Sequence, residues 1–154
     1  MDIVLNLTTE SVAQMATVQP VCVSPQMTIR QVLELLLERR TGSLLVTEAG
    51  RLVGIFTERD ALRLMAENCD LETPMAEVMV RDPVVIGAEE SVATAIRKMS
   101  GGGYRRLPVV DADGCPVGMV KVSSIVHYLV EHFPKTVYNQ PPVSHVVMQE
   151  REGA

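Results

Sequence analysis

Residues 28–60 read TIRQVLELLLERRTGSLLVTEAGRLVGIFTERD, and residues 91–124 read SVATAIRKMSGGGYRRLPVVDADGCPVGMVKVSS. The two stretches are copies of one pattern. Working outward, Pro20 matches Pro83, Thr28 matches Ser91, Ile29 matches Val92 and Leu36 matches Met99, all 63 apart (83 − 20 = 63). Val46 and Val110, Gly50 and Gly114, Val53 and Val117, and Gly54 and Gly118 lie 64 apart (118 − 54 = 64), so one inserted residue is expected after Met99 and before Val110. The repeat spans Ser11 to Asp60 and Pro74 to Ser124. Two copies at this period argue for two small units packed on each other, not for an open array. Positions where the copies disagree are where function is expected to differ.

Within each copy the spacing of apolar residues and turn formers sets out the same elements. A short helix is expected at Ser11–Met15, with the capping-box spacing Ser11 to Gln14, and again at Pro74–Met79 behind Thr73 as N-cap. Pro20 and Pro83 then open short strands, Val21–Val23 and Val84–Ile86. Ile29, Val32, Leu33, Leu36 and Leu37 recur at helical spacing behind the capping box Thr28 to Gln31, and the twin helix runs from Ser91 to about Ser100. Gly101, Gly102 and Gly103 end it, because glycine enters the left-handed conformation that closes helices without a Cβ penalty. A phosphate-cradling loop is the rival reading of the triple glycine, but no strand precedes it and no Lys-Ser/Thr follows.

Two hairpins are expected, Ser43–Thr47 with Leu52–Phe56 and Leu107–Val110 with Val117–Val120, turning at Gly50 and Gly114. Each copy closes with a helix: Glu58–Glu67 capped by Thr57, and one capped by Ser123 that Pro134 stops after Phe133. Each unit is therefore β-α-β-β-α, and the fold class is α+β. The expected domains are residues 1–70, including the N-terminal helix, and 71–133, followed by a tail at 134–154.

At 154 residues each half alone is small, and units of about 60 residues bury only about 60% of their extended-chain surface. With 47% apolar residues, 3% aromatics and no Trp, the core must be Val, Leu, Ile and Met, completed by packing of the halves on each other. Met65, Met75, Met79, Met99 and Met119 are expected to fill core and interface gaps. The net charge of −5 and the shortage of stacking aromatics argue against nucleic-acid partners. Cys22, Cys69 and Cys115 form no zinc motif, and an odd count suits a reducing compartment. His127, His132 and His145 do not share metal-ligand spacing, so no metal site is expected. Neither a signal peptide nor a long apolar run is present, which makes a cytoplasmic protein without a membrane span the expectation.

The pair of motifs Gly54-Ile55-Phe56-Thr57-Glu58-Arg59-Asp60 and Tyr104-Arg105-Arg106-Leu107-Pro108-Val109-Val110-Asp111, set in tandem β-α-β-β-α units, closely resembles the cystathionine-β-synthase (CBS) domain pair, or Bateman module. The resemblance covers about residues 10–133. It implies two units packed through their sheets around a pseudo-twofold axis, clefts that take adenosine-containing ligands, and regulation of a partner protein; nothing catalytic is recognised in this chain, which reads as a stand-alone module. The family's Gly-x-x-Thr-x-x-Asp pattern maps onto Gly54, Thr57 and Asp60, with the aspartate accepting from both ribose hydroxyls. By the same resemblance Val84 and Val85 flank the adenine, while Tyr104, Arg105, Arg106 and Pro108 form the facing wall. The chemistry agrees: a carboxylate offers two acceptor oxygens to a vicinal diol, and a guanidinium grips phosphate bidentately. The companion cleft carries Lys121 and Ser124 in place of Thr57 and Asp60, opposite Val21, Cys22, Thr41, Gly42 and Ser43, and is expected to be degenerate.

Each signal has a plainer rival. Thr57 and Asp60 also suit an ordinary helix cap, and Arg105 and Arg106 also suit solvated charges at a strand edge. The leading expectation is a non-catalytic regulatory module, one nucleotide site per chain, that binds AMP, ADP or ATP, with NAD and S-adenosylmethionine as further candidates, and signals to an unidentified partner. The alternative is a ligand-free module whose role is homodimerisation through its Leu- and Met-rich helices. Val143, Val146, Val147 and Met148 in the tail read equally as an element crossing a dimer interface or as a free end.

Overall fold

A computed structural model of the chain describes residues 8–15 and 17–132. A 3-10 turn at Val12–Gln14 leads into β1 (Cys22–Val23), α1 (Ile29–Arg39), β2 (Ser43–Glu48), β3 (Arg51–Thr57), α2 (Glu58–Ala66), α3 (Met75–Val78), β4 (Val80–Arg81), β5 (Ile86–Gly87), α4 (Val92–Gly102), β6 (Arg106–Val110), β7 (Pro116–Lys121) and α5 (Val122–His132). The strands form a four-stranded sheet in the order β1-β2-β3-β4 and a three-stranded sheet in the order β5-β6-β7. In both, the first pair is parallel and the rest antiparallel. The α+β class read from the sequence is what is found.

Local chemistry sets the helix starts. At α1 the amide of Gln31 donates to Thr28 Oγ1 at 3.2 Å while the Thr28 amide donates to Gln31 Oε1 at 3.0 Å, the reciprocal cap its spacing announced. At α4 the Thr94 amide donates to Ser91 Oγ at 3.1 Å. The helix ends correct the glycine reading in part: Gly101 and Gly102 are helical, and Gly103 alone, at φ 71°, is the left-handed cap. Arg40 holds the same place in the first copy at φ 52° (103 − 40 = 63). Pro74, not Thr73, is the N-cap of α3, and Ser123 lies inside the first turn of α5. Pro20 and Pro83 precede strands that begin only at Cys22 and Ile86. The helix stop at Phe133 and Pro134, and the tail, lie outside the described residues.

The hairpin registers also correct the position of the insertion. Val46 pairs with Gly54 and Val109 with Gly118, and each hairpin has its bulge just after that pair, so Val46 corresponds to Val109 (109 − 46 = 63). The extra residue therefore sits in the second turn, where Asp111-Ala112-Asp113-Gly114 stands against Glu48-Ala49-Gly50. Two adjacent valines, Val109 and Val110, let the sequence alignment close one residue early.

The short N-terminal element of each copy docks on the other copy. Val12 and Met15 are buried in one core with Ile86, Val92, Met99, Leu107, Val120 and Ile125, while Met75 and Met79 are buried in the other with Ile29, Val32, Leu36, Leu44, Phe56 and Leu64. The backbone bonds match one for one. Val12 N donates to Glu90 O and Ala13 N to Ala88 O; Met75 N donates to Met27 O and Ala76 N to Pro25 O (75 − 12 = 63, 90 − 27 = 63). The expected boundary between residues 70 and 71 thus separates sequence copies, whereas each packing unit takes its first element from across it.

The exchange explains two glycines. A Cβ on Gly54 would meet Met79 Sδ at 2.5 Å and the Val80 carbonyl at 3.1 Å, and a Cβ on Gly118 would meet Thr17 Oγ1 at 2.8 Å. Each is the point where the other copy's arm crosses the last hairpin strand: β4 along β3, and Val18 bridging Met119 on β7. On the opposite faces of the sheets, Leu45 (0% exposed) and Met119 (3%) are buried outside both cores. The two hairpins are joined directly, the Leu52 amide donating to the Gly114 carbonyl at 3.0 Å.

Candidate functional site

The site is built where two strand-to-helix junctions face one groove. In the first, Thr57 ends β3 and caps α2: its amide and hydroxyl donate to Asp60 Oδ2 at 2.9 and 3.1 Å, and the Asp60 amide donates back to Thr57 Oγ1 at 3.4 Å. The plainer reading, a capping box, is thus present in full. It commits one oxygen of Asp60. The other, Oδ1, faces Arg63 Nη2 at 3.7 Å, with the aspartate side chain 13% exposed against 49% for the arginine. A partly exposed pair at that separation is weak, so Oδ1 remains an acceptor that a ligand hydroxyl can take.

In the second junction Lys121 ends β7 and Val122 begins α5. Backbone geometry repeats: the Glu58 amide donates to Gly42 O at 3.0 Å and the Val122 amide to Arg105 O at 3.1 Å. Side-chain chemistry does not. Lysine carries no acceptor, so the capping box of α2 has no counterpart through Lys121.

Between the junctions lies a groove of about 840 Å³. Thr57, Glu58, Arg59 and Asp60 line it from the first unit, and Tyr104, Arg105, Arg106 and Lys121 from the second. Gly42 makes room within it, since a Cβ there would stand 2.7 Å from Arg106 Nη2 and 3.1 Å from Glu58 Oε1. Four cationic side chains (Arg59, Arg105, Arg106, Lys121) therefore face two carboxylates (Glu58, Asp60), in a chain whose net charge is −5. Among the described residues, none of these four cations forms an ion pair with a carboxylate. Arg106 Nε is buried and has no hydrogen-bond partner. A positive groove with open donors is suited to an anion, and the neighbouring Asp60 oxygen to a hydroxyl-bearing group.

Of the residues singled out by sequence, the groove gathers Thr57, Asp60, Tyr104, Arg105 and Arg106. Pro108 lies two cross-strand pairs beyond Arg106 and Lys121, opposite Met119, and is buried. Val84 is exposed before β5, and the Val85 carbonyl accepts from Lys98 Nζ at 2.7 Å; neither lines the groove. From the set assigned to a separate companion cleft, Gly42 and Lys121 enter this same groove. Thr41 lines a smaller depression beside Leu33, Leu37 and Arg40, and Ser43 is buried, while Val21, Cys22 and Ser124 lie outside the groove. Cys22 is exposed on the edge strand, with its thiol pKa pushed up by partial burial. Glu58 and Arg59 were not singled out; they stand inside the quoted motif, and only the groove tells them from solvated helix charges.

The family model for the CBS domain matches residues 12–67 and 75–131. The CBS domain-containing protein YhcV of Bacillus subtilis is 36% identical over 116 residues, 75% of this chain and 82% of that protein. Among solved structures, the CBS domain protein PAE2072 from Pyrobaculum aerophilum complexed with AMP superposes with a TM-score of 0.70 at 26% identity, covering 79% of this chain and 98% of that one. The cytosolic domain of the Mg2+ channel MgtE in complex with ATP gives 0.69 at 26% identity, covering 77% of this chain and 48% of that one.

Proposed function

Because this chain belongs to the CBS-domain family, as a tandem pair of such domains, we propose that its groove binds an adenine nucleotide (AMP, ADP or ATP) and that occupancy regulates a partner protein without catalysis by the chain itself. The observation that carries the reading is the meeting of Thr57 and Asp60 with Arg105 and Arg106 across one groove. In that arrangement Asp60 Oδ1 accepts from the ribose, and the arginines take the phosphate. The AMP and ATP in the two similar structures support the ligand class. Since a ligand shifts an equilibrium only through differential affinity, a groove shared by two units is a suitable sensor: closing it on a nucleotide fixes their relative position.

The test is thermal shift and titration with AMP, ADP, ATP, NAD and S-adenosylmethionine on wild type, Asp60→Asn and Arg105→Ala. A ligand at 100 times its dissociation constant stabilises by about 2.7 kcal/mol. Stabilisation of the wild type by an adenine nucleotide, reduced in both variants, is expected. Absence of any shift in the wild type would remove the proposal.

A second reading is favoured by a separate observation. Leu62 (72% exposed) and Met65 on α2, and Val122, Val126 and Val130 on α5, leave apolar side chains uncovered at helical spacing. We propose that these helices join two copies of the chain, so that assembly is a role of its own. Sedimentation of wild type against Leu62→Glu with Val126→Glu checks this: a dimer that becomes a monomer supports it, and a monomeric wild type refutes it.

A further inference from the structure

The register of the second hairpin sets Arg106 directly opposite Lys121, and Ser43 directly opposite Thr57 at the same place in the first. Residues opposite each other in an antiparallel pair share a face, and like charges so placed repel. Sequence alone gives no reason for a cation to stand in the second copy where the first has Thr57. The two side chains line that groove together with Arg105. No described carboxylate pairs with any of the three, and Arg106 Nε is buried without a partner. Glu58, a carboxylate in the lining, shares the space over Gly42 with Arg106 but forms no ion pair with it.

We propose that Lys121 makes the groove selective for a polyphosphate chain: with Arg105 and Arg106 it forms a three-cation end that prefers a nucleoside di- or triphosphate to the monophosphate. This rests on the reading of the groove as a nucleotide site and adds the phosphate count to it. The opposed pair is repulsive when empty and is relieved when an anion stands between its members. In this pose a monophosphate reaching from a ribose held at Asp60 meets Arg105, and the further phosphates are the anion that stands between Arg106 and Lys121, the pair opposed where β7 ends. The companion half of the pseudo-symmetric pair is then not an eroded copy of the first site. It is the anion-binding end of a single site.

The experiment is calorimetric titration, without divalent cations, of AMP, ADP, ATP and inorganic tripolyphosphate into wild type, Lys121→Thr and Lys121→Arg. Threonine is the residue the first copy holds at this position, so the variant is compatible with the local backbone. In the wild type ATP binds at least about tenfold more tightly than AMP, as expected for one added charge-assisted contact. The ratio falls towards one in Lys121→Thr and is largely retained in Lys121→Arg. Equal affinities for AMP and ATP in the wild type, or a ratio that survives Lys121→Thr, would overturn the inference. If no nucleotide binds, the nucleotide reading fails and tripolyphosphate decides the remainder: binding lost in Lys121→Thr upholds the cationic end, and no binding refutes it.

Discussion

The two halves of this molecule share a backbone and differ at one edge. Helices α1 and α4 start and stop 63 residues apart (92 − 29 = 63, 102 − 39 = 63), and both short arms dock on the opposite half through matching bonds. At this edge, however, the first half has Ser43, Thr57 and Asp60 where the second has Arg106, Lys121 and Ser124, and of these Thr57, Asp60, Arg106 and Lys121 line the groove. The difference teaches that the repeat's apolar positions and its two crossing glycines specify the scaffold, while the strand ends next to the helices are free to diverge. The carboxylates come from the first half and three of the four cations from the second. On the proposed function, one anion with a sugar at one end is the ligand that these two sides suit.

The comparison breaks most visibly at the exchanged arms. Met75 is 0% exposed in the first core, so Met75→Ala is expected to lower unfolding free energy by about 2 to 5 kcal/mol in urea denaturation. Val12, its counterpart and also 0% exposed, should act in the same direction by less, because valine is smaller. An indifferent Val12→Ala would mean that the two arms are not equivalent.

The crossing glycines give a smaller and asymmetric effect. Gly54→Ala drives a methyl against Met79 and a backbone carbonyl, and overpacking of this kind costs about 1 to 3 kcal/mol. Gly118→Ala meets no backbone atom within 4 Å among its nearest neighbours, only the side chain of exposed Thr17, whose Oγ1 at 2.8 Å can rotate while its Cβ at 3.2 Å must shift slightly, so its cost in the same denaturation assay should be lower.

The caps sharpen the contrast further. Asp60→Ala removes the acceptor of the α2 box and should cost about 1 kcal/mol, while Ser124→Ala at the matching place should stay within about 0.5 kcal/mol of wild type. Because Asp60 also caps, its effect on ligand must be read as a change in affinity, not in melting temperature alone. The smallest stability effect is expected for Gly42→Ala. Its Cβ displaces the far end of Arg106, which is flexible, so the melting temperature holds while nucleotide affinity falls in titration.

Much of this was legible in the residues. Period, cap spacing and turn glycines gave the unit, the helix starts at Thr28 and Thr57, and both hairpins. The exchange of arms was not, because a three- or four-residue helix carries no periodicity that names its partner. Nor was β4, whose Val80 and Arg81 are both exposed and show no alternation. At the site, the motif located Thr57, Asp60 and the arginines. It could not tell that Lys121 shares their groove, which follows only from cross-strand register and the facing of the two junctions. Val84 and Val85 were assigned by analogy to a strand that begins two residues later than Val84, at Ile86.

The central claim is a single nucleotide site made by both halves, and the stoichiometry of a calorimetric ATP titration tests it most directly. One ATP per chain is predicted, with affinity reduced by Asp60→Asn from one side and by Arg106→Met from the other. Two equivalent sites per chain, or one site indifferent to both substitutions, would contradict it.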